Sequence, residues 1–415
     1  MKLKILLIQI CAMLLVSSCA RMNYALRQEG YDKLKQPIIR VRVLHTKNEV
    51  QVGAKGDCVV RTWNINDEKS AYYSAVNVAV RPEGQYLALY DLKGNRLESK
   101  LRRVTVVAEK KSWLWLDKRK FRGIFEFYSD GHDTMYVVNV LHVEDYLRGV
   151  LAPEIGRRKP EEIEAVKAQA VAARTYALAT RNKYPDKEYD LVNEILDQVY
   201  TGVEGEFRLC DNALKQTRGE VMKADGNLID AFYHSTCGGH TDNIEDVWEK
   251  SAKSYLKSVE DDTFCNWSKY YTWDEEFPAA TLLGNVRSYL KSTGRTSSRL
   301  GSQLQDLQIE SRSIGGRIAS LNIVTEAGKT NLGKDIIRWA FARPGLPGIL
   351  RSSDFELDLK RNANGRISTV SIHGRGYGHG VGMCQCGAIG RARAGLPYDQ
   401  ILTHYYTGVQ IQKLY

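Results

Sequence analysis

Glycine occupies every second position from Gly374 to Gly382, in the stretch HGRGYGHGVGMCQCG that runs from His373 to Gly387. If this stretch is extended, period-two geometry puts all five glycines on one face. Arg375, Tyr377, His379, Val381 and Met383 then line the other. A strand bare on one side costs backbone entropy and packs little. It belongs where another backbone, or a ligand such as a sugar ring, comes very close. A tight strand crossing inside a core meets the same need. A nucleotide loop is excluded, because no Lys-Ser/Thr follows and the spacing misses G-x-G-x-x-G.

The other end of the chain sets an expected compartment. Lys2 and Lys4 precede an apolar run from Ile5 to Val16, too short to span a bilayer and suited to a signal-peptide core. The run closes on Val16-Ser17-Ser18-Cys19, which resembles a bacterial lipoprotein processing box. On this reading residues 1–18 are removed and Cys19 becomes the lipidated first residue, tethering the protein to a membrane surface. A plain signal peptide or an uncleaved anchor is the alternative. Ala20 after the cysteine points to the periplasmic face of the outer membrane in a two-membrane cell, and otherwise to the outer face of the cytoplasmic membrane. Net charge is +10. A basic exported chain meets acidic envelope polymers and anionic lipid, so nucleic acid is not an expected partner.

Residues 19–37 read as a polar tether and 38–415 as one domain, with 278–350 as an elaboration. The expected fold class is α+β with a mainly β N-terminal half. Short alternating runs such as Ile38–Val43, Tyr86–Tyr90 and Met135–Val140 are separated by turn signals at Lys93-Gly94-Asn95 and Asp130-Gly131. A helix follows, with Pro160 in its first turn and Ile163, Val166, Ala170, Ala173 and Ala177 at helical spacing. Its alanines make it slim enough to pack closely on a mixed or antiparallel sheet. The glycine-rich strand comes near the C-terminus, and a short helix over Tyr398–Tyr406 stops at Gly408.

Just before the alanine helix stands Leu151-Ala152-Pro153-Glu154-Ile155-Gly156. A carboxyl in such a turn, flanked by apolar residues, has its pKa raised if it is partly buried, as a general acid near neutral pH requires. Spacing alone leaves it an ordinary solvated acid.

Three segments taken together resemble the stage II sporulation protein D (SpoIID/LytB) family of peptidoglycan-acting proteins. They are Glu144–Leu178 (EDYLRGVLAPEIGRRKPEEIEAVKAQAVAARTYAL), Ala231–Asp262 (AFYHSTCGGHTDNIEDVWEKSAKSYLKSVEDD) and Gly374–Gly408 (GRGYGHGVGMCQCGAIGRARAGLPYDQILTHYYTG). Weaker echoes at Phe121-Arg122-Gly123 and Asp197-Gln198-Val199-Tyr200 extend the likeness over most of the chain from residue 38. The resemblance implies lytic transglycosylation, in which a MurNAc–GlcNAc bond of a glycan strand is cleaved by the MurNAc 6-hydroxyl to leave a 1,6-anhydro end. The family's catalytic glutamate falls on Glu154, although the turn reads Pro-Glu-Ile-Gly here rather than with the usual Met-Pro. The matching segments offer Tyr200, His234, Ser235, Thr236 and His379 as substrate-binding groups, with Arg174 and Gln385 as scaffold or binding groups. Each has a plainer reading: His379 and His234 as backbone-bonded histidines, Arg174 as the partner of an acid. Trp113, Trp115 and Trp248 suit sugar stacking or core packing.

The expected partners are glycan strands, the membrane through the N-terminal lipid, and other wall hydrolases, since the family also includes modifiers of such enzymes. That leaves a non-catalytic glycan binder or amidase enhancer as the alternative function. No cofactor is called for. Some family members bind zinc through a Cys…His-Cys arrangement before the Gln-Val-Tyr motif, but Leu196 and Asp197 stand at those positions, so that site is absent. Beyond Cys11 and Cys19 the chain has Cys58, Cys210, Cys237, Cys265, Cys384 and Cys386. In an oxidising compartment these can be disulfides, and they can also be free thiols or, with His234 and His240, a zinc cluster. The sequence by itself assigns no metal ligand.

Overall fold

A computed structural model describes residues 36–108, 112–194, 196–296, 298–343 and 348–415. The expected leader, Cys19 and nearly all of the tether lie outside these residues. No helix among the described residues is long and apolar enough to cross a membrane.

The N-terminal half is the β structure that its alternation dictates. In Ile38–Thr46, Ile39, Val41 and Val43 are buried while the residues between them are half-buried. This strand pairs antiparallel with Met135–His142 and, over two residues, parallel with Leu191–Val192. The sheet continues through Ile124–Ser129, Arg103–Ala108, Val50–Trp63, Lys69–Glu83 and Tyr86–Tyr90 to Arg96–Leu101. Trp113 and Trp115 sit on a small outer hairpin of this sheet and are largely exposed, so they neither pack in the core nor reach the groove described below.

Pro160–Glu162 forms a 3₁₀ turn that leads into the alanine helix, Ile163–Ala179. Ala165, Ala168, Ala170, Ala172, Ala173 and Ala177 are all fully buried. Small side chains on every face let neighbours approach from all around. The helices Val143–Arg148, Arg208–Gln216, Gln385–Arg393 and Tyr398–Tyr405 surround it, and the strand Glu220–Ala224 packs on it as well. The helix is thus the axle of the C-terminal half.

Residues between Trp273 and Ile372 build a second hydrophobic core. Ile367–Arg375 is the central strand of a three-stranded antiparallel sheet with Thr272–Pro278 and Asp354–Arg361. The helix Ala279–Ser292 and the meander Leu304–Arg312, Ile318–Thr325 and Gly328–Gly333 complete this lobe.

The glycine run is extended only as far as Arg375. Beyond it Gly376, Gly378, Gly380 and Gly382 all have positive φ, so the ribbon does not present one bare face as a regular strand would. What comes close is another stretch of backbone. Thr236 and Tyr377 exchange main-chain hydrogen bonds, and Tyr233–His234 pairs parallel with Met383–Cys384. A Cβ on Gly378 would sit 2.6 Å from the His234 Cβ, and one on Gly382 would sit 2.1 Å from the Phe232 carbonyl oxygen. The glycines exist to bring two chemistry-bearing segments into contact.

Candidate active site

Glu154 lies in the short helical turn Leu151–Ile155, which closes on Gly156 at a φ of 78°. Its neighbours Leu151, Ala152 and Ile155 are buried, which anchors the turn against the core. The Val199 N–H donates to Glu154 Oε1 at 2.6 Å. No cation pairs with the carboxyl among the described residues. Burial raises its pKa from 4.5 to about 7, against the lowering effect of the Val199 hydrogen bond. An acid held near neutrality can give a proton and take one back at the same pH.

Gln198 fixes the segment that supplies the Val199 N–H. It is fully buried, accepts from the Tyr146 hydroxyl at 3.0 Å, and donates to the Tyr233 hydroxyl at 2.9 Å and to the Ala173 carbonyl at 3.3 Å. The Asp197-Gln198-Val199-Tyr200 echo therefore acts as a strap that positions the acid.

Glu154 borders a groove of about 490 Å³. His234, Ser235, His379 and Gln385 line it too, as expected from the sequence. Val381 N–H donates to His379 Nδ1 at 3.1 Å, leaving Nε2 to donate to the Tyr233 carbonyl at 3.0 Å. Both nitrogens are spent on backbone, and burial holds the pKa down to about 4. His379 is a neutral wall residue rather than an acid or base. His234 is also kept neutral by burial, with Nδ1 3.3 Å from the Val381 carbonyl. Gln385 donates to Gln169 Oε1 at 3.3 Å.

Three expected binding residues are not in the groove. Tyr200 is 1 % exposed and gives its hydroxyl to Asn139 Oδ1 at 2.8 Å, with its ring packed on Tyr146. Thr236 is fully buried and hydrogen-bonds Ser268 Oγ at 2.8 Å. The Tyr233–His234 strand is only two residues long, so chain turning rather than strand alternation decides where Thr236 faces. Arg174 is fully buried in a two-pronged pair with Glu144, at 2.9 and 3.0 Å. Its plainer reading, partner of an acid, is the one realised.

Sequence reasoning missed much of the groove. Tyr176, Asp197, Phe232 and Tyr233 line it from the first lobe, and Asp335, Arg338, Trp339 and Ile349 from the second. Trp248 is in it as well, with its ring 4.8 Å from His379 and 4.9 Å from Phe232. The groove's other two carboxylates are already engaged. Asp197 is paired with Lys183 at 2.5 Å and takes the Val192 N–H at 2.8 Å. Asp335 is paired with Arg338 at 2.9 Å and bonded by the Trp339 indole at 3.1 Å. Glu154 is the one acid of the groove that no cation neutralises among the described residues.

Comparison with known proteins gives these features a setting. Residues 131–223 match the family model described as stage II sporulation protein, and 264–382 match a domain of unknown function. An uncharacterized protein of Brachyspira hyodysenteriae is 32 % identical over 390 residues, covering 92 % of this chain and 94 % of that one. Stage II sporulation protein D of Bacillus subtilis is 32 % identical over 297 residues, 66 % of this chain and 76 % of its own length. The amidase enhancer of the same organism is 30 % identical over 299 residues, 64 % of this chain and 40 % of its own length.

Proposed function

The chain belongs to the stage II sporulation protein D family, and from that membership and the groove we propose that it is a lytic transglycosylase of peptidoglycan. Its role on this reading lies at the cell wall, where the protein is exported and held to a membrane through lipidated Cys19. The observation that carries the proposal is one unpaired acid near neutrality in a groove whose other carboxylates are locked in ion pairs.

Protonated Glu154 donates to the glycosidic oxygen as the bond from MurNAc C1 to the GlcNAc O4 breaks. The 6-hydroxyl oxygen of the same MurNAc then bonds to C1, and its proton passes to the Glu154 carboxylate. The glutamic acid is restored and no water is consumed. One carboxyl suffices because the nucleophile belongs to the substrate, whereas hydrolysis needs a second free carboxylate to activate water or form an adduct. Oε1 is fixed by Val199 N–H, so a single oxygen, Oε2, is left for both proton transfers. Trp248 and Trp339 give the groove aromatic faces on which sugar rings can stack.

A second reading, a non-catalytic glycan binder that assists an amidase, draws on the similarity to the amidase enhancer. Glu154→Gln separates the two, because it keeps the shape and the Val199 bond and removes only the transferable proton. The transglycosylase reading expects muropeptide release from purified sacculi to fall by about 10²–10⁴ fold while glycan binding persists. Acceleration of an added amidase as the sole effect of both proteins favours the second, and unchanged release by the variant removes Glu154 from the chemistry.

A further inference from the structure

Behind the groove wall, four buried side chains from three segments converge. Cys237 follows the His234–Thr236 stretch, Asp261 and Cys265 lie in the loop before Thr272–Pro278, and Cys384 caps the helix Gln385–Arg393. The Cys237 and Cys265 sulfurs are 3.5 Å apart, and Asp261 Oδ2 is 3.1 Å from the Cys237 sulfur. All four potential ligand atoms lie within 4.8 Å of one another. A disulfide needs its sulfurs about 2.05 Å apart. A tetrahedral ion with Zn–S bonds of about 2.3 Å spaces its sulfurs about 3.8 Å apart. The 3.5 Å between the Cys237 and Cys265 sulfurs is far too long for the first and lies close to the second.

We propose that Cys237, Asp261, Cys265 and Cys384 bind one zinc ion as a closed structural site. His234, His240 and Cys386 are not part of the cluster, so the His/Cys set conceivable from spacing alone is replaced by three sulfurs and a carboxylate.

The surroundings support this donor set. Cys384 Sγ accepts from the Cys237 and Gly387 N–H groups, each at 3.2 Å, and Cys237 Sγ accepts from Gly239 N–H at 3.4 Å. Amide donors aimed at sulfur stabilise thiolate charge. The far oxygen of Asp261, Oδ1, is taken by the Tyr405 hydroxyl and by Arg391 at 3.2 Å. That leaves Oδ2 facing the sulfurs, the arrangement by which outer partners orient a ligand. Arg391 also offsets part of the negative charge of three thiolates and a carboxylate around a dication. Thiolate donors select a soft or borderline ion, carboxylate a harder one, and zinc accepts both. Four ligands with no open position make the site structural, and it pins together the segments that carry His234, Ser235 and Gln385 into the groove.

Metal analysis of the purified full-length protein tests this, read alongside a thiol count on the denatured chain. About one zinc per chain is expected, falling several-fold in both Cys265→Ser and Asp261→Asn and unchanged in Cys386→Ser and Cys210→Ser. Cobalt substitution adds a readout independent of stability, since thiolate-to-cobalt absorption should appear in the parent and weaken in Cys265→Ser. Absence of zinc with Cys58, Cys210, Cys237, Cys265, Cys384 and Cys386 all titrating as free thiols, a Cys237–Cys265 disulfide found by peptide mapping, or full zinc retention in Cys265→Ser overturns the proposal.

Discussion

At the scale of the residue, burial decides what Glu154 can do. Its pKa rises from 4.5 to about 7, so the folded chain favours the neutral acid. The stabilisation is complete below pH 4.5 and is lost as pH climbs through about 7. Glu154→Gln escapes that loss. In denaturant titrations the variant should match the parent near pH 4 and exceed it by about 3 kcal/mol at pH 8. A variant no more stable than the parent at pH 8 would mean the carboxyl is well solvated. The same shift predicts that kcat/KM of the parent falls above about pH 7, where the proton donor is lost. Sequence likeness singled out Glu154 and spacing by itself did not, because nothing in Leu-Ala-Pro-Glu-Ile-Gly says that a strap from Gln198 and Val199 will close over it. Tyr200 and Thr236 were misplaced for the complementary reason. A polar residue inside a shared motif serves the scaffold as readily as the substrate, and only burial distinguishes the two.

At the scale of the element, the glycine ribbon is the most readable feature and the most easily misjudged. Its composition correctly demands close approach, but positive φ at alternate residues makes it a looped strap against Phe232–Cys237 instead of a one-sided strand. Gly382→Ala should cost more than about 3 kcal/mol, since its Cβ meets the Phe232 carbonyl and φ is 70°. Gly395→Ala, with φ at 85° and open space around it, should cost only about 1–2 kcal/mol. Thermal or denaturant melts of the two variants decide this, and equal losses would remove packing from the explanation. The helix Gln385–Arg393 was not legible because Gly387 and Gly390 mask its propensity. Each glycine there admits a neighbour, Asp261 at the first and the Phe264 carbonyl at the second. The alternation of the N-terminal strands and the alanine spacing of the axle helix were legible, because one-sided burial and all-round close packing write themselves into residue size and polarity.

At the scale of the whole molecule, two hydrophobic cores share one groove, and a buried ion pair locks them together. Arg317 of the second lobe reaches Asp242 at 2.8 Å, with both side chains no more than 2 % exposed, and also donates to the Cys237 carbonyl at 2.8 Å. Asp242→Ala strands a buried guanidinium and should destabilise the protein by about 3–5 kcal/mol. Loss should also reach glycan binding, because Trp339 and Arg338 enter the groove only while the lobes stay docked. A variant that melts like the parent would show that the pair contributes little. This joint architecture was hidden in the sequence, since Asp335, Arg338, Trp339 and Ile349 belong to no motif and gain meaning only where they line the groove with Glu154. The most direct test of the central claim is mass analysis of products released from purified glycan strands. Intramolecular displacement by the 6-hydroxyl predicts 1,6-anhydro-MurNAc ends, lighter by one water and free of label in ¹⁸O-water. Reducing MurNAc ends carrying that label would contradict it.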